Sequence, residues 1–538
     1  MSKKNILVAA AWPYANTSLH LGHVAGLIGA DMIARHARLS GHDVLFVSGS
    51  DCYGTPISIE ADKLNVHPRE IAEKYHKEFK RNLIEQLNFS YDIYTTTTTD
   101  THRAVVQELF LKLYHDGVVY IKTEEFPYCE SCQRFLPDRY VEGSCSICHF
   151  ESARGDQCDG CGNSLSANQL LNPRCKICNN APKWRSSEHF YLRLSAFKEP
   201  LRQWIEKSKG WSFNAKQFAT SLISQDLPDR AITRDAEYGV PIPLPGYEKK
   251  SIYVWFEAVC GYLSASKEYS QSIGQDNFWE KFWTDDSAVH YYIHGKDNIF
   301  FHTIMWPAIL LGAGKLHLPD YIISSEYLSF EGRKFSKSLK WGITLNDFLE
   351  KFDAETLRYY LVMNGPETSD ADFTWDSYYA KTNAELIGTF GNYIHRVLSF
   401  VKTQFPLGVG MPSVLNAAQA ELCAIAQASF ATVGTAIEQG QFRNGLREVL
   451  NLASCGNRYI NNVAPWFSIK QDPAVAAADL AVAAHVIRCL AILVNPFLPT
   501  TSDRILHSIG LDKAQDWAYP SGQRIVVGEL AHLYEKIV

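Results

Sequence analysis

His20-Leu21-Gly22-His23 sets two imidazoles around a glycine, directly after a short apolar run and directly before a helical pattern. A helix start carries free N–H groups and the positive end of the helix dipole, so it favours anions. Gly22 lets a flat base or a phosphate approach the backbone. Two imidazoles there can donate hydrogen bonds to an oxyanion as its charge grows. Much later, Gly332-Arg333-Lys334-Phe335-Ser336-Lys337-Ser338 supplies cations. Flexible ammonium groups on a loop, Lys334 and Lys337, suit a transition state whose charge moves as pyrophosphate departs. Either string alone is a common surface pattern; both together, at the two ends of an interrupted α/β pattern, point to nucleotide chemistry.

A third set is metal chemistry. Cys129/Cys132, Cys145/Cys148, Cys158/Cys161 and Cys175/Cys178 are four Cys-x-x-Cys pairs. Two such thiolates reach one tetrahedral zinc, and two pairs close a four-cysteine site, so eight ligands imply two zinc ions. Spacing alone allows adjacent or nested pairing. Four thiolates leave no open position, which makes the zinc structural.

These groups need elements to hold them. Residues 5–11 form a continuous apolar run, as expected of a strand buried on both faces. A helical pattern follows from about Leu21 to Leu39, with Leu21, Val24, Ile28 and Met32 on one face and Gly41 as its stop. The strand-like Val44–Val47 then runs into Asp51, giving a βαβ unit with a parallel crossover. From Pro127 to about Trp184 the chain is rich in Cys, Gly, Asn and Arg, and bound metal must organise it. Sheet-like patterning resumes near Tyr253, with strands expected at Val289–His294 and Tyr321–Ser325. From Asn383 nearly to the end, Ala- and Leu-rich helical spacing predicts an all-α domain. Thr95–Thr99 reads as an exposed loop.

With 538 residues, 46% hydrophobic and 20% charged, the composition is that of a soluble globular protein of several domains. The net charge of −6 provides no global basic field, leaving room for a local basic track. No apolar run approaches bilayer-spanning length, and Ile6–Ala11 reads as a first strand rather than a secretory segment. Paired cysteines without a leader predict metal rather than disulfides and a cytoplasmic, reducing compartment.

With those motifs in that order, the chain resembles the class I aminoacyl-tRNA synthetases over essentially its whole length. The resemblance implies an α/β fold: a Rossmann-type parallel sheet split by a zinc-knuckle insertion, then an all-α anticodon-binding bundle. It divides the chain into 1–118 and 231–325 (the catalytic halves), 119–230 (the insertion), 326–382 (a stem-contact region with the lysine loop) and 383–538 (the bundle). His20, Gly22, His23, Lys334, Ser336, Lys337 and Ser338 would bind Mg-ATP and stabilise adenylate formation, with Asp297 and Arg234 nearby. Phe335 stands where Met is more usual and keeps the apolar role. Nested zinc pairing is implied, Cys145, Cys148, Cys158 and Cys161 on one ion and the outer four on the other.

The short insertion argues against the Leu, Ile and Val enzymes, which resemble this chain but carry a large editing insertion. Other positions look like those of the methionine enzymes. Ala11, Trp12 and Tyr14 match the flap over the amino acid, and Asp51 at a strand's carboxyl end would fix its ammonium group. Trp255, Tyr262, Phe301, His302 and Trp306 would box the thioether, for which sulfur–ring contacts suit. Trp12 replaces a Leu and Val259 a Pro found in other members. Asn392, Arg396, Pro465 and Trp466 match the positions that read the anticodon, by stacking and base-edge hydrogen bonds.

The implied activity is that of a methionine–tRNA ligase: L-methionine and ATP give methionyl-adenylate, and methionine passes to the 3′ end of tRNA(Met), initiator and elongator. A monomer away from membranes is expected. Two rivals make other predictions. A nucleotidyltransferase of the same superfamily would make a small-molecule adenylate and ignore tRNA, and an inert zinc-knuckle RNA-binding protein would not need Lys337.

Overall fold

A computed structural model describes residues 3–155, 158, 160–161, 165, 167–335 and 341–538. Its centre is a six-stranded parallel sheet. Its strands are numbered here as β1 (Asn5–Ala10), β2 (Asp43–Ser50), β3 (Ile93–Thr96), β4 (Gly210–Trp211), β5 (Val289–Gly295) and β6 (Tyr321–Ser325). The order is β4-β6-β5-β1-β2-β3, so the winding reverses between β1 and β5. Open α/β sheets bind ligands at the carboxyl ends of the strands flanking that reversal. Along β1, Ile6, Val8 and Ala10 enter one core while Leu7 and Ala9 enter the other. Strand side chains alternate between faces, so an unbroken apolar run fits a sheet covered on both sides.

Helix α1 (Leu21–Leu39) spans the predicted range. The insertion opens on a long antiparallel hairpin, Val119–Cys129 against Lys183–Leu192. A small sheet built on Val141–Cys145 and Leu170–Cys175 follows at its tip. Around the cysteines, Leu136, Tyr140, Val141, Ala153, Leu165 and Leu170 are buried, so this segment has a small apolar core besides its thiols. Edge strand β4 lies inside the 119–230 stretch and already pairs with β6.

Three expectations are corrected. The sheet expected near Tyr253 is confined to the short strand Ser251–Ile252, paired with Thr233–Arg234 and Val240–Pro241, and the segment from Val254 is helical (Val254–Glu257, then Gly261–Ser272): its aromatic run fills a helix face, and apolar runs alone do not separate the two states. Thr95 and Thr97 are buried, because Thr95 pairs with Gly49 inside β3 and the Thr97 hydroxyl accepts the Cys52 N–H at 3.0 Å. Helix Pro473–Val494 is long and apolar enough to cross a bilayer by length and composition, but 83% of its most apolar window is buried in the bundle.

The bundle comprises Asn392–Gln404, Ala417–Glu438, Phe442–Val463, Pro473–Val494 and Pro499–Ser508, entered through a π-helical turn at Thr382–Gly391. Beyond Ser508 the chain is not helical and lies back over the bundle, Ile525 pairing with Val409. Bundle and catalytic body share one apolar core with α1. A buried ion pair joins them: Arg358 meets Asp31 of α1 at 2.8 Å and donates to the carbonyls of Leu87, Pro496 and Phe497. Arg358 and Arg35 hold the Asp31 carboxyl down at about 2 against its burial.

Candidate active site

The two nucleotide signatures meet. His20 is the N-cap of α1, and its backbone N–H donates to His23 Nδ1 at 3.1 Å, with the two rings 3.7 Å apart. The Phe335 ring lies 4.4 Å from that of His20 with planes only 7° apart. Just past the lysine loop, the Leu345 N–H donates to the Leu19 carbonyl at 2.7 Å, and Thr344 pairs with His20. The chain beyond the second signature is therefore zipped to the first. Gly342, at φ +133°, lets Phe335 in: a Cβ there would sit 2.4 Å from the ring. At Gly22 a Cβ would press to 3.0 Å on the His20 ring. Lys334 is exposed, its ammonium 5.6 Å from the Tyr327 ring centre. Ser336, Lys337 and Ser338 lie outside the described residues.

Asp297 follows β5 at the reversal point and accepts the Tyr327 hydroxyl proton. Beside it Lys296 bridges Glu326 and Asp370, both at 2.7 Å. The Arg234 guanidinium stacks 3.5 Å over Tyr253 and donates to the Ala231 and Thr233 carbonyls.

The proposed methionine residues also gather at the strands' carboxyl ends. Ala11 follows β1 and donates its N–H to Ile293 of β5. Tyr14 pairs with Asp51, and the Ala15 N–H donates to the Asp51 carbonyl at 2.8 Å, tying the flap to the end of β2. Asp51 is 3% exposed, and its Oδ1 accepts the Tyr53 N–H at 3.2 Å. Burial pushes its carboxyl well up, and a charge on Glu257 would push it further. A cation entering this pocket would favour loss of that proton and pair with a poorly solvated carboxylate, where attraction is strong.

Trp255 stacks on Phe301 at 4.0 Å, and Tyr14 meets Trp255 edge-on at 5.7 Å. Phe301–Met305 is a π-helical turn, which presents Phe301 and His302 together. His302 Nδ1 must donate to the Asn298 carbonyl at 2.8 Å, so the neutral ring accepts the Tyr262 hydroxyl proton on Nε2 at 2.7 Å. Burial keeps that imidazole neutral by lowering it to about 4. Trp306 is fully buried behind this wall and donates to Tyr292 at 3.0 Å. Trp12 is wedged where Cβ atoms on Gly49 and Gly261 would come within 2.5 and 2.9 Å of its ring. Those two glycines make room for the larger residue at this position. Sequence reasoning passed over Glu257 and His102, a fully buried pair 2.7 Å apart behind the pocket. A carboxylate inside the apolar Val254–Tyr262 run was the available signal.

The cysteines form two nested groups, Cys129/Cys132/Cys175/Cys178 and Cys145/Cys148/Cys158/Cys161, each with all four Sγ atoms within 4.8 Å of one another. The Cys129–Cys178 and Cys132–Cys175 sulfurs are 3.4 and 3.9 Å apart, and Cys148–Cys158 and Cys145–Cys161 are 3.5 and 3.9 Å apart. Tetrahedral zinc with sulfurs at about 2.3 Å spaces them about 3.8 Å apart, so both donor sets fit that ion. Backbone N–H groups of Cys132 and Ile147 point at Cys129 and Cys145 sulfurs, as suits thiolates.

In the bundle, Arg396 lies 5.0 Å over the Trp466 ring and donates to Asn461 at 2.6 Å. Asn392 is exposed one turn earlier, while Phe390, Ile394, Val397 and Val401 are buried opposite. Ala464, left-handed at φ +41°, ends the long helix, and buried Pro465 starts the short one that carries Trp466.

Comparison with known proteins agrees with this geometry. The model of tRNA synthetases class I (M) matches residues 6–398, and that of the anticodon binding domain of methionyl tRNA ligase matches 411–532. A methionine–tRNA ligase of Dehalococcoides mccartyi strain CBDB1 is 47% identical over 508 residues, covering 94% of this chain and 92% of the relative. One of Bacillus cereus strain B4264 is 42% identical over 536 residues, covering 99% and 97%. The fold matches that of a Mycobacterium tuberculosis methionyl-tRNA synthetase solved with methionyl-adenylate, at a TM-score of 0.81 and 24% identity, with 99% of both chains covered. A split parallel sheet, two nested cysteine groups and an anticodon-binding bundle thus coincide with 42–47% identity over nearly the whole chain, and the chain belongs to the methionyl-tRNA synthetases of class I.

Proposed function

We propose how the residues of this methionine–tRNA ligase divide its two steps, and the carrying observation is the stacking of Phe335 on His20. L-Methionine enters with its ammonium group on Asp51 and its thioether among Tyr14, Trp255, Tyr262, Phe301 and His302. The hydroxyl of Tyr262, oriented by His302, is the polar tip in an aromatic box, with Ala11 and Trp12 forming the near edge and Trp306 backing the wall. Mg-ATP lies over Gly22 with its phosphates towards His20 and His23, and Asp297 and Arg234 stand beside the adenosine.

A carboxylate oxygen of methionine attacks the α-phosphorus, and the bond to the bridging oxygen of pyrophosphate breaks. His20, His23, Lys334 and Lys337, with Ser336 and Ser338, take up the charge on the departing group; the step needs positioning and charge stabilisation rather than proton transfer. The terminal ribose hydroxyl of tRNA(Met) then attacks the methionyl carbonyl, the bond from that carbon to the phosphate oxygen breaks, and AMP leaves as the hydroxyl proton passes to the freed phosphate. Asn392, Arg396, Pro465 and Trp466 select that tRNA by stacking an unpaired base and bonding its edge, and residues 326–382 meet its stem. Each four-cysteine group holds one zinc that fixes the tip of the hairpin and takes no part in either step.

Lys337→Ala tests the reading. Single-turnover adenylate formation falls by about a hundredfold or more, as for loss of one transition-state charge contact, while methionine binding is kept. An unchanged rate would refute the role of this loop.

A further inference from the structure

Behind the methionine pocket lies a buried polar row with no part in the steps above. Glu257 Oε2 is 2.7 Å from His102 Nε2, His102 Nδ1 is 2.8 Å from Ser264 Oγ, and Ser264 Oγ is 3.1 Å from the Gly261 carbonyl oxygen. All three side chains are fully buried. Glu257 Oε1 has no hydrogen-bond partner among the described residues.

The far end fixes the direction of the row. A backbone carbonyl only accepts, so Ser264 gives its single proton to Gly261, and its oxygen accepts from His102 Nδ1–H. A neutral imidazole has one N–H, so Nε2 is left as an acceptor. The proton between Nε2 and Oε2 then belongs to Glu257. The other arrangements are costlier. An ionised Glu257 would leave a bare carboxylate oxygen in a closed apolar site, and would take the Ser264 proton away from Gly261. A His102–Glu257 ion pair would bury two charges with one carboxylate oxygen unmatched.

No compensating cation faces this group among the described residues. Asp51, Cys52 and Tyr53 face it from the loop after β2, Tyr14 from the flap and Cys260 from the next turn. Glu268 acts on His102 from beyond and is itself engaged by Thr95 and Thr99. Burial drives the Glu257 carboxyl up and the His102 imidazole down to about 3, in keeping with a neutral pair.

We propose that Glu257 is a positioning residue for methionine: kept protonated by the His102–Ser264–Gly261 row, it bars a second negative charge, so that Asp51 alone meets the ammonium group. The proposal rests on the assignment of Asp51 to that group. A charged Glu257 would hold Asp51 protonated, leaving the pocket a weaker cation site.

The test uses the full-length enzyme. Its infrared spectrum carries the C=O stretch of a protonated buried carboxylic acid, which E257Q removes. Because Gln is also a neutral donor to His102, E257Q keeps KM for methionine within about threefold, with the acidic limb of kcat/KM unmoved. D51N raises the same KM by roughly thirtyfold or more, as expected for an ammonium group that loses a buried charged partner. Absence of the E257Q-sensitive band, or an E257Q rise of about tenfold in KM with D51N behaving as expected, overturns the role of Glu257 alone. An indifferent D51N overturns the Asp51 assignment and the positioning role with it, while the band still reports where the proton sits.

Discussion

Phe335→Ala should separate ATP handling from methionine binding. The half-buried ring stacks on His20 at 4.4 Å and lies against Gly342. An aromatic pair of this kind contributes about 0.5–1.5 kcal/mol beyond burial. A half-buried Phe adds about half of the roughly 1.5–3 kcal/mol of a fully buried one. Together about 1.5–3 kcal/mol holds the second signature on the first, which corresponds to roughly 10- to 100-fold in the population of the docked loop. If only the docked loop delivers its lysines, kcat/KM for ATP in pyrophosphate exchange falls by that factor. KM for methionine, whose contacts lie on other loops, stays where it was. Phe335→Met, which keeps apolar bulk over His20, recovers most of the loss. Exchange kinetics with ATP and methionine varied in turn decide it. Unchanged ATP kinetics in Phe335→Ala, or equal losses towards both substrates, would refute the idea that this stack brings the signatures together.

Other expectations follow from the same contacts. Arg358→Met takes one of its two guanidinium partners from buried Asp31, leaves the Leu87, Pro496 and Phe497 carbonyls without that donor, and should cost about 3–5 kcal/mol of stability in denaturant unfolding; a loss under about 1 kcal/mol would deny the pair a structural role. With its carboxyl held at about 2, Asp31 adds stability that is complete above its unfolded value. That stability, about 2 kcal/mol, disappears as pH falls from near 4 towards 2, and Asp31→Asn should flatten this part of the pH–stability curve. The full chain should hold two zinc ions by elemental analysis. Cys148→Ser should lose one and leave the outer site filled; loss of both would contradict separate sites. Trp466→Ala should weaken aminoacylation of tRNA(Met) by about 1–3 kcal/mol in kcat/KM and spare pyrophosphate exchange. Equal damage to both assays would argue against an anticodon role.

How far the sequence carried depended on how local each signal was. Strand β1, helix α1 and strand β6 were legible because each is a continuous pattern whose buried faces repeat with its own period. The cysteines could be counted but not paired from spacing, since pairing depends on how the hairpin Val119–Cys129/Lys183–Leu192 folds its tip. Glu257 and His102 were invisible for a similar reason: they are 155 positions apart and acquire meaning only when two helices pack. Arg358 looked like one more helix residue until the bundle's Pro496 and Phe497 carbonyls closed around it. Near Tyr253 the sheet stops at Ile252 and helices take over, a boundary hidden because an aromatic-rich run has the same composition in a strand and in a buried helix.

Methionine-dependent exchange of pyrophosphate into ATP, run against the full set of common amino acids, tests the central claim most directly. Exchange that is robust with L-methionine and falls by about two orders of magnitude or more with leucine, isoleucine and valine is the expected result, because a polar-tipped aromatic box can favour sulfur over branched carbon. Exchange driven equally well by another amino acid, or none with methionine, would contradict it.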